Sequence, residues 1–469
     1  MATKKQSLLE DELKDADLMT IMSGGGTSTV FRKNTLVDYS YPTGISVIDY
    51  ALAFEVNVKD ESGNLIKKRI CRGLQAGSFN VITGATQSFK TTLGIQMIAN
   101  IAYSNGGNIV HLDAENRLVV QRVKNLTKLP DTWFDGEFPR YALKCGAIGY
   151  DTLQNYVAEI YENKMKFQNI LLRDTGEVDD HNRPIKLMPP TIIFLDSLSD
   201  VIAKEYDMRD SKEWDKQKEM RSNTDGMQNA KTLKGVISDI LPMLKEANII
   251  FITIAHENAN VSMNAFTGPK KQFQYGDHNV KISGGKSVEY NASALMTFTG
   301  EIKEDSRYHV SSDGFEGNTV LFEPTKVSTN ESGNSKTGLG FRIVVDKRKE
   351  GCDNLRTLVL FLNQRGRLKG NKAGYKVIDE KGNELSEKFT WKKIYEEFKS
   401  NPSTYKAFMV AAKEELETLI SKADDVAGQI NPFDVDKVLD SLDTIEATVC
   451  HHIFMMRHTN RTSHIVKSA

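Results

Sequence analysis

The sequence predicts an α/β protein in which a mostly parallel central sheet is flanked by helices. The first observation is a glycine-started loop at 84–92, which follows an apolar strand pattern and precedes helical spacing of apolar residues. The second is a pair of apolar runs that end in acids, at 108–115 and 191–197. The third is an apolar run at 249–255 that ends at His256. Open α/β sheets bind their ligands at the carboxyl ends of strands, where these polar residues would lie.

Composition and charge narrow the class of protein. The chain has 469 residues, of which 39% are hydrophobic and 26% charged, which is typical of a large globular domain with appendages. The formal net charge of −1 gives no overall basic field, so any nucleic-acid site has to be local. The four cysteines form no C-x-x-C pair, and we expect reduced thiols in a cytoplasmic protein. We see no membrane-spanning run and no signal peptide.

The chain divides into three predicted parts. Residues 1–40 form a polar arm, which either packs on a neighbouring subunit or is a disordered tail. Residues 41–365 form the core, which begins with an amphipathic helix and a hairpin at 55–72. Residues 366–469 form a smaller α+β region with an acidic stretch. Its last twenty residues contain four histidines. We interpret this segment as a basic tail, and a metal site formed by the histidines is the alternative.

The loop at 84–92 has the layout of a phosphate-binding loop. Backbone N–H groups at a helix start, with the helix dipole behind them, form a cradle for anions. Lys90 adds a point charge for phosphates, and the Thr91 hydroxyl is a ligand for Mg²⁺. Phe89 departs from the pattern G-x-x-x-x-G-K-[ST], which has glycine at that position. The residues predicted to hold the phosphates are Gly84, Ala85, Thr86, Gln87, Ser88, Phe89, Lys90, Thr91 and Thr92.

Three polar residues at strand ends complete the predicted site. Glu115 is the candidate to orient and activate a water against the terminal phosphate. Asp196 ends the next apolar run and would hold the Mg²⁺ and its water shell. His256 ends the third run, where it could sense the terminal phosphate.

Two loops and one basic cluster suggest partners. The segment 203–226 mixes charges of both signs and is predicted to be an exposed loop. The segment 258–287 lacks periodicity and interleaves aromatic residues with Lys270, Lys271, Lys281 and Lys286, a combination that suits single-stranded nucleic acid. A plain solvated insertion is the alternative. The cations of 347–349 follow a predicted strand, where they could reach the phosphates of an adjacent subunit.

Taken together, these motifs resemble those of RecA-family recombinases, and most closely the UvsX branch of that family in T-even phages, which also has Phe before the loop lysine. The resemblance covers about 40–410. The hairpin at 55–72 and the last fifty residues depart from it. The matching residues are Thr43, Gly44, Asp49, Ala51, Leu52, Asp113, Ala114, Glu115, Asp196, Ser197, Leu198, Met227, Ala230, Lys231, Thr232, Lys234, His256, Gly284, Gly285, Lys347, Lys349, Trp391, Phe398, Lys399 and Pro402.

The resemblance implies a RecA-like core and an ATP-dependent recombinase that forms a helical filament on single-stranded DNA and exchanges strands with homologous duplex DNA. Each ATP, with Mg²⁺, would lie between subunits. One subunit would supply Lys90, Thr91, Glu115, Asp196 and His256, and the next would supply Lys347 and Lys349. Mediator and single-strand-binding proteins are implied partners. The DNA-binding residues implied are Met227, Lys270, Lys271, Lys281, Gly284, Gly285 and Lys286.

Three alternatives remain open at this stage. A hexameric helicase shares such a core but normally carries a helical domain before it, and only about forty residues precede this core. A non-recombining RecA-like ATPase would share the nucleotide site and lack DNA loops. A purely structural filament protein would have no need of Glu115.

Overall fold

The computed structural model describes residues 38–201, 225–259, 280–300, 317–328, 339–346, 351–371 and 373–420. The chain divides into two compact units, Met1–Asp38 and Tyr39–Ala469, and the described residues belong almost entirely to the second. Five predictions of the sequence analysis lie outside the described residues: the arm before residue 38, most of the loop at 203–226, the centre of the segment 258–287, the basic cluster at 347–349, and the tail after residue 420.

Eighteen strands and eleven α-helices are found among the described residues. The strands are β1 Ser40–Tyr41, β2 Phe54–Lys59, β3 Leu65–Cys71, β4 Leu74–Gln75, β5 Phe79–Gly84, β6 Asn108–Asp113, β7 Tyr141–Cys145, β8 Arg173–Val178, β9 Pro184–Leu187, β10 Thr191–Asp196, β11 Ile249–Ala259, β12 Val280–Ile282, β13 Ala294–Thr299, β14 Gly317–Val327, β15 Phe341–Asp346, β16 Gly351–Cys352, β17 Leu368–Asn371 and β18 Gly374–Val377. The helices are α1 Ser46–Ala51, α2 Lys90–Ser104, α3 Val120–Thr127, α4 Thr132–Asp135, α5 Tyr150–Lys166, α6 Gln168–Leu171, α7 Asp225–Glu246, α8 Lys286–Asn291, α9 Asn354–Gln364, α10 Ile394–Ser400 and α11 Pro402–Glu417.

A large mixed sheet organises the described part of the chain. Its strands follow the spatial order β16-β15-β14-β13-β5-β11-β10-β6-β7. Neighbours from β13 to β7 are parallel, whereas β14, β15 and β16 pair antiparallel. The predicted α/β class with a mostly parallel sheet is therefore confirmed, and the predicted hairpin at 55–72 is present as β2 and β3.

Both faces of the sheet are covered, which explains the long apolar runs of β10 and of the first half of β11. In β10, Ile192 and Phe194 join one hydrophobic cluster together with α2 and α9, whereas Ile193 and Leu195 join a second cluster together with α5 and α7. Side chains alternate between the faces of a strand, so a strand buried on both sides reads as a continuous apolar run. Among the described helices, none combines the length and apolar character needed to cross a membrane.

The described residues after 366 pack on the first of these clusters, which contains Trp391, Phe398 and Phe408 of this region. Polar contacts reinforce the packing. The Arg356 guanidinium donates to the Asp353 carboxylate at 2.7 Å, and the Tyr395 hydroxyl donates to the same carboxylate. Residues on both sides of the predicted boundary at 365 thus contribute to one hydrophobic cluster.

A buried lysine, Lys164, ties α5 to the amino-terminal ends of β10 and β11. These ends lie at the edge of the sheet opposite the candidate site. The Lys164 Nζ donates to the carbonyls of Pro189 (2.7 Å) and Asn248 (3.2 Å) and to the Thr191 hydroxyl (3.3 Å). All three acceptors are neutral, and burial lowers the pKa of Lys164 to about 7. Desolvation penalises the charged ammonium, and these oxygens offset only part of that penalty.

This lysine predicts a pH dependence of stability. An unfolded lysine keeps its proton up to about pH 10.4, so between pH 7 and pH 10 the unfolded chain binds more protons than the folded one. The wild type should therefore gain stability relative to Lys164→Met as the pH rises from 7 to 9, by about 1 kcal/mol per unit. Urea-unfolding midpoints at pH 7, 8 and 9 measure this effect. Lys166→Met, at an exposed position on the same helix, serves as the control and should run parallel to the wild type. If the unfolding midpoints of Lys164→Met changed with pH in parallel with those of the wild type, the lowered pKa of Lys164 would be contradicted.

Candidate active site

The carboxyl ends of β5, β6, β10 and β11 converge at one edge of the central sheet. From β6 the chain continues to β7 on one side, and from β10 it continues to β11 on the other side. Such a reversal between neighbouring parallel strands opens a crevice at their carboxyl ends. The register places Asp196 opposite Asp113, so β6 and β10 end level with each other, and it places Gly84, the last residue of β5, opposite His256 of β11.

The predicted phosphate-binding loop joins β5 to α2. Gly84 ends the strand with φ 138°, a conformation that favours glycine, and a Cβ at this position would overlap the backbone carbonyl of Phe298. The chain then turns through residues 85–89, and α2 begins at Lys90. The first backbone N–H groups of a helix have no partner within the helix, so those of α2 are available to a ligand at this edge of the sheet.

Phe89 occupies the position where the standard pattern has glycine. Its backbone is left-handed, with φ 60° and ψ 20°, and its side chain has no polar atom that could cap α2. A left-handed conformation costs a non-glycine residue about 1–2 kcal/mol. The partly buried ring packs against the first hydrophobic cluster, and this contact offsets that cost. The loop therefore keeps the backbone of the pattern without its glycine.

Lys90 folds back over the loop. Its Nζ donates to the carbonyls of Gly84 (2.8 Å) and Ala85 (2.6 Å), and the side chain is 6% exposed. Burial lowers the pKa of Lys90, and the charges of Glu257, Asp196 and Glu115 act in the opposite direction. An ammonium held by neutral carbonyls would gain from exchanging them for phosphate oxygens, because charge-assisted hydrogen bonds are stronger.

Thr91 and Asp196 are brought together, as the sequence predicts for metal ligands. The Thr91 hydroxyl donates to Asp196 Oδ2 at 2.7 Å. Asp196 is 5% exposed, and burial, with the negative charges of Glu115 and Asp113, raises its pKa to about 6. A hydroxyl and a carboxylate are the oxygen ligands that Mg²⁺ prefers, and a cation here would offset the penalty on the buried charge. The two residues fit a magnesium ion.

Glu115 and His256 contact each other, although 141 residues separate them in the chain. Glu115 Oε1 lies 2.8 Å from His256 Nε2, and the exposed Arg117 lies 3.3 Å from the other carboxylate oxygen. The His256 backbone N–H donates to the Ser199 hydroxyl at 3.1 Å. Both side chains are only partly buried, so a bound molecule in the crevice could reach the carboxylate.

Sequence reasoning missed one acid of the site. The Glu257 carboxylate accepts a hydrogen bond from the Thr83 hydroxyl at 3.2 Å and is the largest charge effect on Lys90. Its signal in the sequence is weak, since it is one acid in the polar stretch after His256. Only the register of β5 and β11 brings it to the loop lysine.

The described ends of the segment 258–287 contradict the expectation of a loop without regular structure. β11 continues to Ala259, and β12 pairs with it antiparallel, so that Ile282 lies opposite Glu257. α8 then begins at Lys286. Strand pairing extends the core sheet into the segment because the backbone groups beyond His256 find partners on β12.

Five predicted DNA-binding residues lie among the described residues. Lys281 is in β12, and Met227 is near the start of α7. Gly284 and Gly285 both have left-handed backbones, and a Cβ at Gly284 would press into Val288, Leu233 and Leu198. Lys286 follows at the start of α8. The other two, Lys270 and Lys271, lie outside the described residues, as do Lys347 and Lys349, which are predicted to act on the ATP of a neighbouring subunit.

Comparison with known proteins adds no relative: no protein-family model matches this chain, and no curated protein matches it.

The conformation of Phe89 predicts an unusual order of stabilities. Both Phe89→Ala and Phe89→Gly lose the packing of the ring, but only glycine removes the strain of the left-handed backbone. Phe89→Gly should therefore be more stable than Phe89→Ala by about 1 kcal/mol. In the control pair at Glu162, an exposed position within α5, alanine should be more stable than glycine by a similar amount. Thermal-unfolding midpoints measure both pairs, and the same order at both sites would reject a strained Phe89.

Proposed function

We propose that this protein is an ATP-dependent DNA recombinase of the RecA type, which assembles as a filament on single-stranded DNA, pairs it with homologous duplex DNA and exchanges strands. One observation carries the proposal: His256, which contacts Glu115 beside the proposed phosphate-binding loop, lies on β11, and β11 continues beyond it to pair with β12 in an antiparallel ribbon. The Ser283 N–H donates to the His256 carbonyl at 3.1 Å, so the segment proposed to bind DNA is hydrogen-bonded to a residue of the ATP site.

Each residue of the crevice has a role in ATP hydrolysis under this proposal. The loop N–H groups and Lys90 bind the phosphates, which orients the terminal phosphate towards the strand ends. Thr91 and Asp196 would hold Mg²⁺, which when bound would supply positive charge beside the phosphate oxygens. Glu115 accepts a proton from the attacking water, and His256 holds the Glu115 carboxylate in place at 2.8 Å.

DNA binding is assigned to the segments 203–226 and 258–287 under the same proposal. Lys270, Lys271, Lys281 and Lys286 would neutralise backbone phosphates, which gives affinity without sequence preference. Gly284 is packed against Leu198 and Leu233, so the second segment is anchored on the elements that end at the ATP site. Lys347 and Lys349 would act on the ATP of the neighbouring subunit, which makes hydrolysis depend on filament assembly.

Strand exchange tests the function directly. The purified protein, with ATP and Mg²⁺, should transfer a strand between homologous DNA molecules, and heterologous duplex is the control. Lys90→Ala should lose ATP turnover together with ATP affinity, because a phosphate-contacting cation is removed. Glu115→Gln should keep ATP binding and filament formation and lose turnover, because the amide keeps the shape of the side chain and lacks the base. Rings that unwind duplex DNA would favour a hexameric helicase, and ATP turnover that is indifferent to DNA would favour a non-recombining ATPase.

A mixing experiment tests whether Lys347 and Lys349 act across a subunit boundary. The double variant Lys347→Ala/Lys349→Ala and the variant Glu115→Gln should each be nearly inactive as ATPases. Mixed in equal amounts on DNA, they should form some boundaries that join an intact Glu115 face to an intact lysine face. Random mixing then restores about a quarter of wild-type turnover. A flat mixing curve, with filaments visible by electron microscopy, would place the lysines in their own subunit's site or outside the chemistry.

A further inference from the structure

The short loop after β6 is closed by the side chain of Asp113. Its Oδ2 accepts hydrogen bonds from the backbone N–H groups of Arg117 (2.9 Å) and Leu118 (2.8 Å). Asp113 itself is 1% exposed, and its backbone carbonyl is fixed by the N–H of Gly146 at 3.2 Å. A carboxylate that accepts two backbone N–H groups has one geometry available, so the positions of residues 114–118 follow from that of Asp113.

The same loop is held from its other side by β10. The N–H groups of Ala114 (2.7 Å) and Glu115 (3.3 Å) both donate to the backbone carbonyl of Asp196. Between the two attachments, Asn116 adopts a left-handed backbone with φ 54°. Asparagine adopts this conformation more readily than most residues, and the Asp113 carboxylate helps to hold the backbone there.

Glu115 lies inside this closed loop. Without the Asp113 carboxylate, the loop would keep its attachment to Asp196 and lose the one at Arg117 and Leu118. Asn116 could then leave the left-handed region, and the direction of the Glu115 side chain would change with it. A displacement of about 1 Å at a reacting group is sufficient to cost about 100-fold in rate.

We propose that Asp113 is a positioning residue for ATP hydrolysis: it closes the loop at 113–118 so that the Glu115 carboxylate stands against His256. This inference rests on the proposed function, since it assigns to Asp113 a role that acts through Glu115. The role is distinct from substrate binding, because the carboxylate faces its own loop and is buried.

Asp113 could also influence the site through its negative charge, and the experiment has to separate this effect from the closing of the loop. Its charge raises the pKa of Asp196, and its carboxylate accepts a hydrogen bond from the Cys145 thiol. Asp113→Asn removes the charge and keeps an oxygen that can accept the loop N–H groups. Asp113→Ala removes both the charge and the acceptor.

We expect Asp113→Ala to lower kcat for ATP by about 100-fold with little change in ATP affinity, and Asp113→Asn to recover most of that loss. ATP affinity is measured with a fluorescent ATP analogue, and kcat by phosphate release in the presence of single-stranded DNA. The matched control is Asp179→Ala. Asp179 also accepts two backbone N–H groups, from His181 (3.0 Å) and Arg183 (2.8 Å), in the turn between β8 and β9, and its removal should leave kcat unchanged.

A double variant decides whether the effect passes through Glu115. If it does, adding Asp113→Ala to Glu115→Gln lowers single-turnover hydrolysis no further. The proposal would be overturned if Asp113→Ala lowered the rate of Glu115→Gln by the same factor as it lowers the rate of the wild type, or if Asp113→Ala left kcat unchanged. It would also be overturned if Asp113→Asn folded but was as slow as Glu115→Gln, and this result is decisive even where Asp113→Ala does not fold. A wild type without ATP turnover would instead overturn the proposed function.

Discussion

The site depends on the register of four parallel strands. β6 and β10 pair so that Asp113 lies opposite Asp196, and β5 and β11 pair so that Gly84 lies opposite His256. A slip of one residue in any of these pairs would turn every side chain of that strand to the other face of the sheet. Because both faces are buried in separate hydrophobic clusters, the packing of Ile192 through Leu195 resists such a slip. The helices on the two faces thus fix the distances between acids and loop at the strand ends.

Sequence reasoning found the buried strands that end at the site and missed several others. β5, β6, β10 and β11 were predictable because a strand covered on both faces is a continuous apolar run. β8 has almost no buried residue and was missed, because it has no apolar face to indicate its period. β13 and β14 were missed as well. β14 carries Pro324, which argues against a strand in sequence, and the register shifts beside its partner Met296.

The same distinction holds for the site. The placement of the loop at 84–92, Asp196, Glu115 and His256 at strand ends was predictable because each follows a recognisable strand. The contact between Glu115 and His256, the charge of Glu257 near Lys90, and the attachment of the 113–118 loop by Asp113 were not. Each depends on which strands become neighbours in the sheet, and strand order is not encoded in any local pattern. The left-handed backbone of Phe89 was also not predicted, because the standard loop pattern has glycine at this position and this chain has Phe.

The packing around Gly284 gives the proposed coupling between ATP and DNA a physical basis. A Cβ at Gly284 would come within 3.1 Å of methyl groups of Val288, Leu233 of α7 and Leu198, which follows Asp196, so these side chains would have to shift to admit it. Ser283 is hydrogen-bonded to the His256 carbonyl, and Ser199 accepts the His256 N–H. A displacement of the His256 backbone would therefore act on both of these hydrogen-bonded neighbours. Under the proposed function, a shift of His256 in response to the terminal phosphate would move both the segment after Asp196 and the ribbon that ends at Gly284. These are the described ends of the two segments to which DNA binding is assigned.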